Sequence, residues 1–168
     1  MRRVFAGIYM LEPEAYERLQ PEPSSVISGA FHPLMEQGRP VVGLVKDFLW
    51  RDLGTWQAYG DFCREVLRSP AGDNLRQQIA LLSPGQFVPA GRTSKRLPGL
   101  AYLGPDLALP SAARIGPGAV LQRGVEVGPH ELQDCVVLPA TQVSTNCDGV
   151  VVGPQFEVPL PNSCECAR

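Results

Sequence analysis

Asp52 is the residue of this chain best placed to do chemistry. It stands in Trp50-Arg51-Asp52-Leu53-Gly54-Thr55, between an aromatic stretch expected to end a strand and the start of a helix. Open α/β sheets collect ligands at the carboxyl ends of their strands. A carboxylate there can hold Mg²⁺, a hard cation bound through one or two carboxylates together with substrate phosphates. On spacing alone, a turn aspartate that hydrogen-bonds the backbone ahead of Thr55 is the plainer reading. His130, in Val127-Gly128-Pro129-His130, is a second candidate as a general base, although a solvent-facing corner histidine is the commoner case. Cys164-Glu165-Cys166 offers a soft metal two thiols, half of a closed site, in what reads as a disordered tail. Trp50 and Trp56 flank Asp52 and could stack on a base or sugar, with core packing the simpler role. Arg92, Lys95 and Arg96 form a small basic cluster that could meet a phosphate, or simply a solvated linker. The absences also inform. No Gly-x-Gly-x-x-Gly follows a strand, no Walker-type loop exists, and neither histidine (His32, His130) has a nucleophile motif beside it.

These residues need elements to hold them. Val4-Phe5-Ala6-Gly7-Ile8-Tyr9-Met10-Leu11 is a compact apolar run that reads as a buried strand, and Val41–Val45 reads as another. Helices are expected over Glu14–Leu19, behind Pro13, and over Ser28–Gln37, which Gly38 stops. The strongest helical pattern follows Thr55, a plausible N-cap, with Trp56, Tyr59, Cys63, Val66 and Leu67 recurring at three and four. Asp73–Leu82 completes the set, ended by Ser83-Pro84-Gly85. Residues 86–98 show no clear pattern and read as a junction.

From Leu100 the period changes. Ile115, Leu121 and Val127 fall six apart, as do Leu132 and Leu138, and Val152 and Val158. Gly-Pro follows an apolar residue at Gly116, Gly128 and Gly153. A six-residue apolar repeat with turn-forming residues between is the signature of a parallel β-helix, in which inward aliphatics stack from coil to coil. The phase slips between Val127 and Leu132, and residues 143–152 are expected to need a longer excursion.

The 168 residues carry 15 basic and 17 acidic side chains, a formal charge of −2. Such a balance gives no field for nucleic acid or an anionic membrane. No apolar run approaches the roughly 20 residues of a membrane helix, and the start is too short for a signal-peptide core. Five cysteines make no even framework, which fits a reducing compartment. A cytoplasmic protein is expected.

Phe5-Ala6-Gly7-Ile8-Tyr9, then Trp50-Arg51-Asp52-Leu53-Gly54-Thr55 with Tyr59 behind it, then hexapeptide repeats, together resemble the C-terminal half of the sugar-1-phosphate nucleotidyltransferases. The nearest types are the mannose-1-phosphate guanylyltransferases and the glucose-1-phosphate thymidylyl- or uridylyltransferases. The resemblance implies an α/β fold: the C-terminal part of a Rossmann-like nucleotidyltransferase domain over 1–85, a junction over 86–98, a left-handed parallel β-helix over 99–161 and a tail over 162–168. It implies transfer of a nucleotidyl group from an NTP to a sugar 1-phosphate, with pyrophosphate released in a Mg²⁺-dependent in-line displacement. Asp52 would match the second metal-binding aspartate. Gly7 would line the sugar pocket, its missing side chain letting the sugar approach the backbone.

Several family features have no counterpart. The Gly-rich, Arg- and Lys-bearing loop that holds the NTP, the first metal aspartate and the Glu-Lys pair that grips the sugar phosphate are absent. Phe5 replaces the usual Asn, and Val26 to Ala30 carry no carboxylate. One carboxylate cannot position a metal, a triphosphate and an attacking phosphate, because phosphoryl transfer also needs cationic side chains. The expectation is a portion that is inactive alone and awaits a missing N-terminal half. Strands left exposed by that absence would make the isolated chain dimeric or aggregation-prone. Two alternatives remain: a non-catalytic solenoid that assembles or binds, as a homo-oligomer, and a solenoid acyltransferase using His130.

Overall fold

In the computed structural model, which describes residues 4–47, 49–70, 72–90 and 99–160, the six-residue apolar spacing wraps into a β-solenoid of about three turns. Its strands are β1 (Gln86–Ala90), β2 (Gly99–Leu103), β3 (Arg114–Ile115), β4 (Val120–Leu121), β5 (Glu126–Val127) and β6 (Glu131–Gln133). β7 (Val136–Val137), β8 (Gln142–Val143), β9 (Cys147–Asp148), β10 (Val150–Gly153) and β11 (Phe156–Pro159) complete it. They form three sheets, ordered β1-β2-β4-β7-β10-β11, β3-β6-β9 and β5-β8. Each six-residue step therefore spans one side of the solenoid, and equivalent residues meet after a full coil. The parallel registers Tyr102↔Val120, Val120↔Val136 and Val136↔Val151 give coils of 18, 16 and 15 residues.

Strand residues alternate between faces, so each strand of the largest sheet feeds two cores. Leu103, Leu121, Val137 and Val152 stack inward and join Val127, Leu132, Val143 and Cys147 inside the solenoid. Tyr102, Val120, Val136 and Val151 stack outward into a second cluster. Ile115, Leu121, Val127 and Leu132 are inward, as their spacing predicts. Leu138 is not. It joins the outer cluster, and Val137 takes the inward place, because a one-residue slip in a strand reverses the face. Residues 143–152 make the tightest coil rather than a longer one, with Cys147 as the inward residue. Val152 and Val158 belong to an antiparallel hairpin in which Val151 faces Val158, so Gly153-Pro154 is a hairpin turn and not a coil corner.

The corners have their own periodicity. Asp106, Gly124 and Ala140 form one column and Gly118, Asp134 and Gly149 another, all with positive φ between 49° and 80°. The columns are tied by backbone bonds such as Gly124 N–H to Pro105 O (3.0 Å) and Ala140 N–H to Arg123 O (2.9 Å). A left-handed residue turns the chain sharply between sides. Asp tolerates that conformation and alanine does so only under strain. Both ends of the largest sheet are closed by antiparallel strands carrying proline, Pro89 in β1 and Pro159 in β11. Proline offers no N–H to a further strand and so blunts an edge. Strand β1 falls in the stretch that showed no pattern in the sequence.

One helix covers the outward cluster and a second packs against it and strand β1. Helix α3 (Trp56–Arg68) starts at the expected N-cap, Thr55 Oγ1 accepting Ala58 N–H at 3.1 Å. Its Tyr59, Cys63 and Leu67 lie against the outer ladder. Helix α4 (Gly72–Leu82) follows, and Arg76 donates to the carbonyls of Val66 and Ser69, which satisfies groups left open at the end of α3. Arg64 of α3 reaches the corner residue Asp134, Nε to Oδ1 at 3.2 Å, and the same oxygen accepts from Arg68. Arg64 and Asp134 are both buried. Helix α3 is latched to the solenoid by charge as well as by apolar contact.

The chain divides after Trp50 into two compact units, so the helices at 56–82 belong with the solenoid. In the first unit the helices are α1 (Pro13–Glu17) and α2 (His32–Glu36), the latter preceded by a π-helical turn over Ile27–Phe31. These agree with the helices expected behind Pro13 and over Ser28–Gln37. The strands expected at Val4–Leu11 and Val41–Val45 do not form among the described residues 4–47. Their ladders would need a partner for each backbone N–H and C=O, and the first unit supplies none. No Rossmann-like sheet is present in the described residues.

Candidate functional site

Asp52 lies in an exposed turn. Its Oδ1 accepts the Gly54 N–H at 3.0 Å, an Asx turn that delivers the chain to Thr55 and the start of α3. The plainer reading of its spacing thus describes its local structure. No strand ends beside it, since residues 49–54 are irregular. Next to it Arg51 forms an exposed pair with Glu65, Nη2 to Oε1 at 2.8 Å. For Mg²⁺ the donor set falls short by itself: one exposed carboxylate with an oxygen engaged in a turn. Among the described residues no group of three or more His, Cys, Asp or Glu could hold a metal.

Gly7 belongs to the first unit and Asp52 to the second. Gly7 has φ 75°, and no heavy atom lies within 4 Å of where a Cβ would sit. Its need for glycine is therefore conformational, in open space. Trp50 donates its indole N–H to the Ala6 carbonyl at 3.3 Å. Trp56 packs on Phe156 with ring centroids 5.1 Å apart, so both tryptophans have protein partners.

His130 lies half-buried on a wide groove of about 740 Å³ between Leu107, Glu126 and Val143. Its ring covers Gly128, where a Cβ would come within 2.8 Å of it. Gly128 therefore clears space for the ring at the corner, a structural reason for glycine there. Phe48, Arg92, Lys95, Arg96, Cys164 and Cys166 lie outside the described residues.

Burial favours the protonated form of the thiols among the described residues. Burial pushes Cys63 up to about 11, partly offset by a hydrogen bond from Tyr59. Tyr59 is pushed up to about 12, again mainly by burial and then by Cys63. Cys147 rises to about 11 and Cys135 well above its ordinary value through burial. A protonated buried thiol is a poor nucleophile.

No family model, no curated protein and no solved structure matches this chain. No helix among the described residues is long and apolar enough to cross a membrane.

The sequence reading missed the Arg64–Asp134–Arg68 latch. Its partners stand 70 and 66 residues apart, and the only local signal is an acid at a repeat position where a small or turn-forming residue belongs.

Proposed function

We propose that this chain is the C-terminal portion of a Mg²⁺-dependent sugar-1-phosphate nucleotidyltransferase, which turns over nothing until a nucleotide-binding half completes its site. The observation that supports this reading best is the Trp50–Thr55 segment: an aspartate turn runs directly into a capped helix, and that helix is latched to a short hexapeptide solenoid. The large apolar side chains left in the open by the first unit, among them Ile8, Met10, Val42 and Leu44, are what segments lacking their sheet neighbours would expose. In this reading Asp52 is one ligand of a metal centre whose other carboxylate, and the cationic grips for triphosphate and sugar phosphate, come from the other half. The metal would neutralise charge on the transferring phosphoryl group. Asp52 holds its carboxylate at the head of α3, and Gly7 keeps backbone accessible to the sugar. Free Cys63, Cys135 and Cys147 suit a reducing cytoplasm.

Pyrophosphate release tests the proposal. The purified chain with an NTP, a sugar 1-phosphate and Mg²⁺ should release none. Adding a separately produced nucleotide-binding half should restore release, and Asp52→Asn should abolish the restored activity while leaving the helical signal intact. Turnover by the chain alone would overturn the proposal.

A second reading, a non-catalytic assembly or binding module, draws on the same Asx turn, because Asp52 already has a structural task. Self-association with no turnover under any reconstitution would favour it.

A further inference from the structure

We infer that the space between α3, α4 and the outer face of β2 and β4 is a binding site for a small aromatic carboxylate. It is a cavity of about 350 Å³, within the range of small-molecule pockets, roughly 300–1,000 Å³. At about 30 Å³ per water it has room for about a dozen waters. All of its lining lies in the unit Arg51–Arg168, and the inference stands independently of the nucleotidyltransferase reading.

The walls select the body of the ligand. Phe62, Phe87 and Tyr102 present rings, and Val66, Leu67 and Val120 present aliphatic surface. The polar groups in the wall are engaged with one another: Gln122 Nε2 donates to Tyr59 Oη at 2.6 Å, and the Ser83 and Tyr102 hydroxyls meet at 2.5 Å. What these pairs leave for a ligand is flat, apolar surface, which suits an aromatic ring system. The charge selects its head. Among the described residues of the lining Arg123 is the one charged side chain, and no carboxylate joins it there. Its pairing with Asp106 is loose, 4.0 Å between two exposed groups. An exposed guanidinium at the mouth of an apolar cavity can take a carboxylate by two parallel hydrogen bonds.

Calorimetric titration of the full chain with 2-naphthoate tests this, with the neutral 2-naphthamide as control. Saturable one-site binding is expected, with the amide weaker by about tenfold for want of the charge-assisted contact. Arg123→Gln should bring the two compounds level. Asp106→Asn should strengthen the carboxylate a few-fold and leave the amide unchanged. Cys63→Phe, which fills the cavity from α3, should abolish binding of both. Should that variant not fold, Ile79→Trp fills it from α4, and the two charge variants decide the matter at exposed positions in any case. Lack of saturable binding, equal affinity for acid and amide, or binding undiminished in a folded filled variant would each overturn the inference. The last result would place naphthoate on the open apolar side chains of the first unit.

Discussion

Asp134→Asn should release helix α3 from the solenoid without disturbing the coil that carries it. Asparagine is at home at the left-handed φ of 49° that Asp134 adopts, so the corner backbone is preserved and only charge is lost. Asp134 and Arg64 have side-chain exposures of 3% and 8%. Removing one partner of a buried pair costs about 3–5 kcal/mol, because the other charge stays buried. Arg64 keeps a contact to Asp61, Nη1 to Oδ1 at 3.1 Å, but Asp61 is about half exposed, and such pairs contribute about 0–1 kcal/mol. Arg68 is also substantially exposed, so its share of the latch is small. The expected loss is about 3 kcal/mol, on the order of a hundredfold in the docking equilibrium. Amide hydrogen exchange reads it directly. Protection across α3 should fall by that factor, while the amides of β8 and β9, in the sheets that α3 does not cover, hold theirs. Adding Arg64→Met should recover most of the loss, since replacing both charges of a buried pair by apolar groups is often neutral. A change in α3 protection below threefold, or a double variant less stable than the single one, would refute the electrostatic account of docking.

Other expectations follow from the same structure. Ala140→Gly should stabilise the chain by about 0.5–1 kcal/mol in urea unfolding, because it relieves a left-handed alanine at φ 53° and gives back part of the gain as unfolded-chain entropy; a destabilised variant would mean that the corner column is not strained. Thr55→Ala removes the cap on Ala58 and should cost about 1 kcal/mol, visible as fraying of the first turn of α3. Alkali should weaken the fold from about pH 9 upward. Cys63 and Cys147 are raised from 9.0 to about 11, so the unfolded chain sheds protons that the folded chain keeps, and stability is intact below pH 9 and declines between pH 9 and 11. A urea midpoint flat to pH 10.5 would contradict this. Light scattering of the purified chain should show concentration-dependent association, reduced by Val42→Lys, since Val42 is 86% exposed; a monodisperse monomer at high concentration would count against it.

The solenoid was legible because its signal is repetition. Ile115, Leu121, Val127 and Leu132 each report one side of the coil, and the Gly-Pro pairs at Gly116 and Gly128 mark corners. The reading lost phase where apolar residues adjoin. In Val136-Val137-Leu138 all three are aliphatic, and the choice of inward residue depends on which face α3 covers, a fact of tertiary packing. Cysteine hid two inward positions, Cys135 and Cys147, because a small thiol packs as a hydrophobe while its spacing from Leu132 and Val143 is irregular. Thr55 was readable since capping is local chemistry. Asp52 was readable as a turn for the same reason, whereas its assignment to a metal needs a partner carboxylate that no local pattern supplies. The latch and the cavity join residues dozens of positions apart, and no periodicity marks either.

The first unit shows what an apolar run does without a neighbour. Val4–Leu11 has the composition of a buried strand and forms none, while Gln86–Ala90, which includes a proline and shows no pattern, forms a five-residue strand. The difference is the presence of a ladder. β2 stands ready beside β1, already paired on its other side to β4, so each backbone group of β1 that turns inward finds a partner. Among the described residues of the first unit the buried apolar ones are Ala15, Ala30 and Leu34, whereas Met10 is 98% and Leu44 82% exposed. Burying one large apolar side chain contributes roughly 1.5–3 kcal/mol, which for the large side chains of Val4–Leu11 taken together is of the same order as the ordering of an eight-residue strand at about 1–2 kcal/mol per residue. An edge offered from outside would add the missing ladder partners to that burial, and the two together would favour converting the run at Val4–Leu11 into a strand.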